Sequence, residues 1–131
     1  MIGSLLYLTA SRPNIVVSVG LCARFQSKPN ETHLNVVKRI LRYLKHTTDL
    51  ALWYPKGCNF DLVGYADADY AGFLVDRKST SSMAHLLGPC LVSWATKKQH
   101  SVAMSIAEAE YVAAASSFAQ LLWISQQLKD F

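Results

Sequence analysis

Four carboxylates stand in two closely spaced pairs, Asp67 with Asp69 and Glu108 with Glu110. The first pair lies in Gly64-Tyr65-Ala66-Asp67-Ala68-Asp69-Tyr70-Ala71-Gly72, an unusual composition for a strand, since strands are depleted in Asp. Side chains two apart on a strand share a face, and like charges that close are unfavourable unless a cation neutralises them. A hard divalent ion would serve; the plainer alternative puts Asp69 in a turn after a strand that ends at Asp67. On a helix the second pair is separated by about 200°, so only one glutamate can meet Asp67. Ser105 as N-cap with Glu108 as its box partner leaves Glu110 facing inward, beside the small residues Ala113, Ala114 and Ser117. A strand Asp with a helix Glu suits phosphoryl chemistry with two metal ions about 4 Å apart. Carboxylates alone would equally permit sugar hydrolysis, and acidic residues at a helix start also suit the helix dipole.

The surrounding pattern predicts elements able to position these groups. Ile2 to Phe25 reads as apolar helix broken at Arg12-Pro13. Asn30 is a fair N-cap for a helix from Glu31 to about Thr47, with Leu34, Val37, Leu41 and Leu44 as its apolar stripe. Lys38, Arg39, Arg42 and Lys45 fall away from that stripe, as a solvated face or a phosphate-contacting one. Leu50 to Tyr54 reads as a short strand, and Pro55-Lys56-Gly57 as a turn dividing a helical segment, 1–56, from a second domain, 57–131. Strands are expected over Phe60 to Tyr70, Ser82 to Leu87 and Cys90 to Thr96, the last two joined by a Gly88-Pro89 turn. A further short strand is expected over Ser101 to Met104, and a helix over Ser105 to Leu128. The fold class is therefore α+β: antiparallel strands followed by a helix, behind an N-terminal helical tether.

Composition narrows the classes. The chain has 131 residues, 51% of them hydrophobic and 17% charged, enough apolar surface for a globular fold and too short for a multidomain enzyme. Through Lys56 eight Lys and Arg oppose two acidic residues, whereas from Gly57 five oppose seven; this asymmetry suggests a polyanion-binding surface beside a gathering of carboxylates, or simply two differently solvated surfaces. Cys22, Cys58 and Cys90 lie far apart in the sequence, which fits neither a zinc motif nor a secreted disulfide framework. No apolar run is long enough to span a bilayer and no signal peptide is apparent, so an intracellular location, cytoplasm or nucleus, is expected without membrane attachment. The four histidines lack metal-like spacing, and Trp53, Trp94 and Trp123 are expected in the core.

Several segments in order carry a resemblance: Ile2-Gly3-Ser4-Leu5-Leu6-Tyr7-Leu8-Thr9-Ala10, Arg12-Pro13, Lys38-Arg39-Ile40-Leu41-Arg42-Tyr43-Leu44-Lys45, Gly64-Tyr65-Ala66-Asp67-Ala68-Asp69, Asp76-Arg77-Lys78-Ser79-Thr80-Ser81, Ser93-Trp94 with Lys97-Lys98-Gln99, and Ala107-Glu108-Ala109-Glu110-Tyr111. Together they resemble the copia-type retrotransposon Pol polyprotein, from the end of its reverse transcriptase region into its ribonuclease H domain. The resemblance implies a tether before Pro55 and, from about Phe60, the first half of a ribonuclease H fold that cuts the RNA strand of RNA–DNA hybrids with Mg²⁺. It implies that Asp67 and Glu110 are catalytic metal ligands and that Asp69 and Glu108 play supporting roles. Lys97, Lys98 and Gln99 are similar to a loop that could touch the hybrid, and the rest of the polyprotein is an expected partner. Where the family tends to have Gly, this chain has Ser82 and His46, and where it has Asp, Asn14; the two lost glycines are expected to have served turns. The family's later acidic ligands lie beyond Phe131, which implies an incomplete site, an inactive chain and an uncovered sheet edge prone to self-association. The alternative reading is a non-catalytic remnant that binds nucleic acid through the basic helix.

Overall fold

The computed structural model describes residues 1–130 and contains two compact units, Met1–Leu52 and Trp53–Phe131. In the first, α1 (Ile2–Leu8) is followed by a 3₁₀ turn (Pro13–Ile15), α2 (Val16–Ala23) and α3 (Glu31–His46). Pro13 opens its turn where the missing N–H costs nothing, so the expected break at Arg12-Pro13 is present. Arg12 donates from Nη1 to the carbonyls of Thr47 (3.0 Å) and Leu50 (2.7 Å), which satisfies the Leu50 acceptor and adds a second bond to the Thr47 carbonyl, already bonded by the Leu50 N–H, just past the end of α3. At the other end, Asn30 Oδ1 accepts from the His33 N–H while His33 Nδ1 accepts from the Asn30 N–H, a reciprocal cap with His in the place of the usual Glu or Gln.

The core of this unit is Leu5, Ile15, Val19, Cys22, Val37 and Ile40, with Ile2, Val36 and Leu44 packed on it. The expected stripe on α3 is rotated. Leu34 and Leu41 are exposed, and Ile40 is buried in their stead, because the contact line runs through positions 36, 37, 40 and 44, still at helical spacing.

In the second unit β1 (Leu62–Phe73), β2 (Lys78–Leu87) and β3 (Cys90–Lys98) form an antiparallel sheet in that order, and α4 (Ile106–Asp130) packs on β1 and β2. The mixed helix-and-sheet class expected from sequence is present. The β2–β3 turn carries Gly88 at φ +57°. A side chain there would be strained and would also strike the Asn59 carbonyl, since a Cβ would lie 2.1 Å from it.

Two expected strands are absent: Leu50–Tyr54 and Ser101–Met104 have no ladder partner. Their polar groups go elsewhere. The Leu50 carbonyl serves Arg12, the Tyr54 hydroxyl donates to the Leu91 carbonyl at 2.8 Å, and the Met104 N–H donates to Glu108. Ser82 is paired within the sheet with Asp67 and Thr96 and His46 ends α3, so neither stands in a turn and neither needs a glycine's freedom. Of the tryptophans expected in the core, Trp53 is 80% exposed and Trp123 58%.

The helix approaches the sheet through small residues one turn apart, Ala109, Ala113 and Ser117, all buried. A Cβ on Gly64 would lie 3.1 Å from Leu121 and 3.2 Å from His85, so Gly64 allows the same close approach from below. The layer between is polar. His85 is fully buried, its Nε2 3.1 Å from both the carbonyl and the hydroxyl of Ser117, and Gln99 Nε2 donates at 2.9 Å to Ser81 Oγ and to the Ala109 carbonyl.

Candidate functional site

β1 is an edge strand, and its ladder with β2 includes both Asp67, opposite Ser82, and Asp69, opposite Thr80. Asp69 is therefore within the strand, as the same-face reading required, and not in a turn. Alternation assigns the faces: Gly64 looks to α4, so Ala66 and Ala68 share that face while Asp67 and Asp69 leave the strand on the other. The ladder is interrupted after Asp69 by a bulge that has Ala71 at φ +51°. A Cβ on Gly72 would sit on the Asp69 carboxylate, so Asp69 is folded back along the bulge.

On α4 the two glutamates separate as the helical rotation demands. Ser105 Oγ accepts the Glu108 N–H at 3.1 Å; Glu108 Oε2 in return accepts the Met104 N–H at 2.6 Å, one residue short of the expected reciprocal bond. Glu108 is thus a capping residue. Glu110 is half-buried, and its Oε1 accepts a long hydrogen bond, 3.4 Å, from the Ala68 N–H. Residues that alternate with the β2-bonded positions of β1 turn their N–H groups to the free edge, and Glu110 reaches that edge at the residue next to Asp67. Glu110 thus meets β1 from the helix side at Ala68, whereas the side chain of the adjacent Asp67 leaves the strand on the opposite face. On the α4 side of β1 an open groove of about 570 Å³ runs between Gly64 and Ala66 on one wall and Tyr111, Ala114 and Phe118 on the other.

Hard carboxylate oxygens suit Mg²⁺, and Glu110, bonded to a backbone N–H, keeps its second oxygen for a ligand. Among the described residues no three His, Cys, Asp or Glu side chains gather as a metal site.

The lysines expected in a loop lie at the end of β3. Lys98 Nζ pairs with Asp76 and stands 3.8 Å from the centre of the Phe73 ring, while Lys97 is exposed and Gln99 is buried in the polar layer. The β-strand continues through this segment because its ladder with Ser81 and Thr80 does. Lys98 also holds the Asp76 carboxyl below the usual aspartate range, by its hydrogen bond first and with help from the Lys78 N–H. In the first unit Lys38, Arg39, Arg42 and Lys45 are all exposed on α3. Lys38, Arg42 and Lys45 form one stripe at helical spacing, turned away from Val37 and Ile40.

Sequence reading missed the capping by Arg12 and His33, and the His85–Ser117 contact. The Asn30-to-His33 spacing is the one signal that could have found any of these.

The fold and site define an α+β chain with an acidic residue on an edge strand and a second on the helix packed over it. No family model matches, and no solved structure matches. The chain is 38% identical over 125 residues to secreted RxLR effector protein 161 of Plasmopara viticola, covering 95% of this chain and 88% of that protein. It is 39% identical over 130 residues to the retrovirus-related Pol polyprotein from transposon RE1 of Arabidopsis thaliana, covering 99% of this chain and 9% of the polyprotein. Against the Pol polyprotein from transposon TNT 1-94 of Nicotiana tabacum it is 38% identical over 130 residues, covering 98% of this chain and 10% of that one. Over nearly its whole length the chain is thus homologous to retrovirus-related Pol polyproteins from copia-type transposons, and it spans about a tenth of such a polyprotein's length. Among the described residues no helix is long and apolar enough to cross a membrane.

Proposed function

We propose that the second unit is the leading part of a ribonuclease H-type domain, with Asp67 and Glu110 as carboxylate ligands for Mg²⁺ at the edge of β1. The observation that carries this reading is the Glu110 carboxylate on the Ala68 N–H, beside Asp67. The bound ion would supply charge neutralisation at a scissile phosphate and an activated water. Asp67 and Glu110 would hold it by charge, while Glu108 fixes the start of α4 and Asp69, packed over Gly72, braces the bulge beyond Asp67. The substrate class is the RNA strand of an RNA–DNA hybrid. Two carboxylates are too few for turnover, so hybrid cleavage requires further acidic ligands from the rest of the polyprotein, and the exposed β1 edge is where added strands, or another copy, would pair. An intracellular location goes with this role.

The test is hybrid cleavage with Mg²⁺ by the chain alone and by the same chain continued through the corresponding polyprotein sequence. The reading expects cleavage from the longer polypeptide and its loss in Asp67→Asn and Glu110→Gln. Full activity in Asp67→Asn would overturn it.

A second reading assigns binding without catalysis to the first unit, favoured by the exposed stripe of Lys38, Arg42 and Lys45. Binding by that stripe would weaken steeply with salt and would survive Asp67→Asn.

A further inference from the structure

The three cysteines are free thiols, and none belongs to the site described above. Cys22 is buried in the apolar core of the first unit. The other two, remote in sequence, are neighbours in the second unit. The segment leading into β1 runs alongside the β2–β3 turn: the Gly88 N–H donates to the Asp61 carbonyl at 2.8 Å, the Tyr54 hydroxyl donates to the Leu91 carbonyl at 2.8 Å, and the Asn59 carbonyl occupies the space that a Cβ on Gly88 would need. These contacts flank Cys58 on one side and Cys90 on the other. The Cys90 thiol, buried where β3 begins, is pushed up in pKa by burial first and then by the neighbouring Cys58. Cys58 is half-buried and is the thiol that solvent reaches.

We propose that Cys58 and Cys90 form a reversible disulfide that fastens the segment before β1 to the β2–β3 turn. The oxidant is a small disulfide such as oxidised glutathione. The Cys58 thiolate attacks one of its sulfurs, forming a mixed disulfide and releasing one glutathione. The Cys90 sulfur, on losing its proton, then attacks Cys58 Sγ and expels the second glutathione as a thiolate, which takes up that proton. Two protein thiols become one S–S bond, and one oxidised glutathione becomes two reduced molecules. The ring so closed contains the whole of β1 and β2, including Asp67, so oxidation restricts the unfolded chain across the strand pair that carries the candidate site. In a reducing compartment such a bond is a response to oxidant and not a permanent staple.

The experiment treats the purified chain with oxidised glutathione, quenches in acid, alkylates the remaining thiols and maps the peptides by mass. The expected result is a peptide pair linked through Cys58 and Cys90, lighter by two hydrogens and separated by dithiothreitol, with Cys22 alkylated. Thermal unfolding of the oxidised chain should have its midpoint raised by about 10 °C over the reduced chain. That rise should be absent in Cys58→Ser and present in Cys22→Ser. A stable glutathione adduct on Cys58 with Cys90 still alkylatable would overturn the proposal, as would a bond from either to Cys22 or to another copy. Because the peptide map is made on the unsubstituted chain, the outcome does not depend on whether any variant folds.

Discussion

The two units bury different chemistry. The first closes around aliphatic side chains drawn from three helices and the 3₁₀ turn, Leu5, Ile15, Val19, Val37 and Ile40. In the second, the layer between sheet and helix is built from Ala109, Ala113, Ser79, Ser81, His85, Gln99 and Ser117, and large apolar residues such as Tyr65, Phe118 and Trp123 remain exposed. An aliphatic core is stabilised by area removed from water and tolerates rearrangement as long as volume is kept. A polar layer gains little net free energy per hydrogen bond, but each broken bond strands a partner, so it specifies one arrangement. The unit that carries the carboxylates is therefore the one whose geometry is fixed by directional contacts.

Several substitutions would break or sharpen that contrast. Leu5→Ala should have the largest effect, about 3 kcal/mol on the first unit by chemical denaturation, because it opens a cavity among helices. Gln99→Leu should cost the second unit about 2 kcal/mol, since Ser81 Oγ and the Ala109 carbonyl lose their shared donor; an unchanged midpoint would show that the layer does not depend on this side chain. Arg12→Ala, which frees the Leu50 carbonyl and removes one of two bonds to the Thr47 carbonyl, should cost about 1 kcal/mol and be seen first as faster amide exchange at the end of α3.

The smallest effect is expected with pH. The Asp76 carboxyl is held low by Lys98 in the folded state, so its contribution is present above the ordinary aspartate range and is lost as the pH falls through the depressed value. The pair is only half-buried and screened by solvent, so the effect is minor. A pH series of unfolding midpoints should lose this small acid-side slope in Asp76→Asn.

Much of the fold was legible in the sequence because its signals are local. Pro13 and Asn30 mark helix starts, Gly88-Pro89 marks the hairpin, and helical rotation separates the roles of Glu108 and Glu110. What stayed hidden depends on contacts between distant segments. Which of Leu41 and Ile40 is buried depends on the neighbouring helices of the first unit. Leu50–Tyr54 has strand-like composition, yet only a ladder partner could have made it a strand, and none is present among the described residues. Lys98 has the composition of a solvated turn and is instead drawn to Asp76 and Phe73. The alternation of Asp67 and Asp69 on one face was readable, but which face they take depends on how α4 lies on Gly64. The approach of Cys58 to Cys90 was equally out of reach, since it depends on the segment before β1 lying along a turn far away in sequence.

The central claim is that Asp67 and Glu110 serve one divalent ion at the edge of β1. Amide resonances of the chain, followed during Mn²⁺ addition in the presence of an RNA–DNA hybrid, test it most directly. The account predicts paramagnetic broadening centred on 66–69 and 109–112, lost in Asp67→Asn and equally in Glu110→Gln. Broadening that spares either segment, or that persists unchanged in both variants, would contradict it.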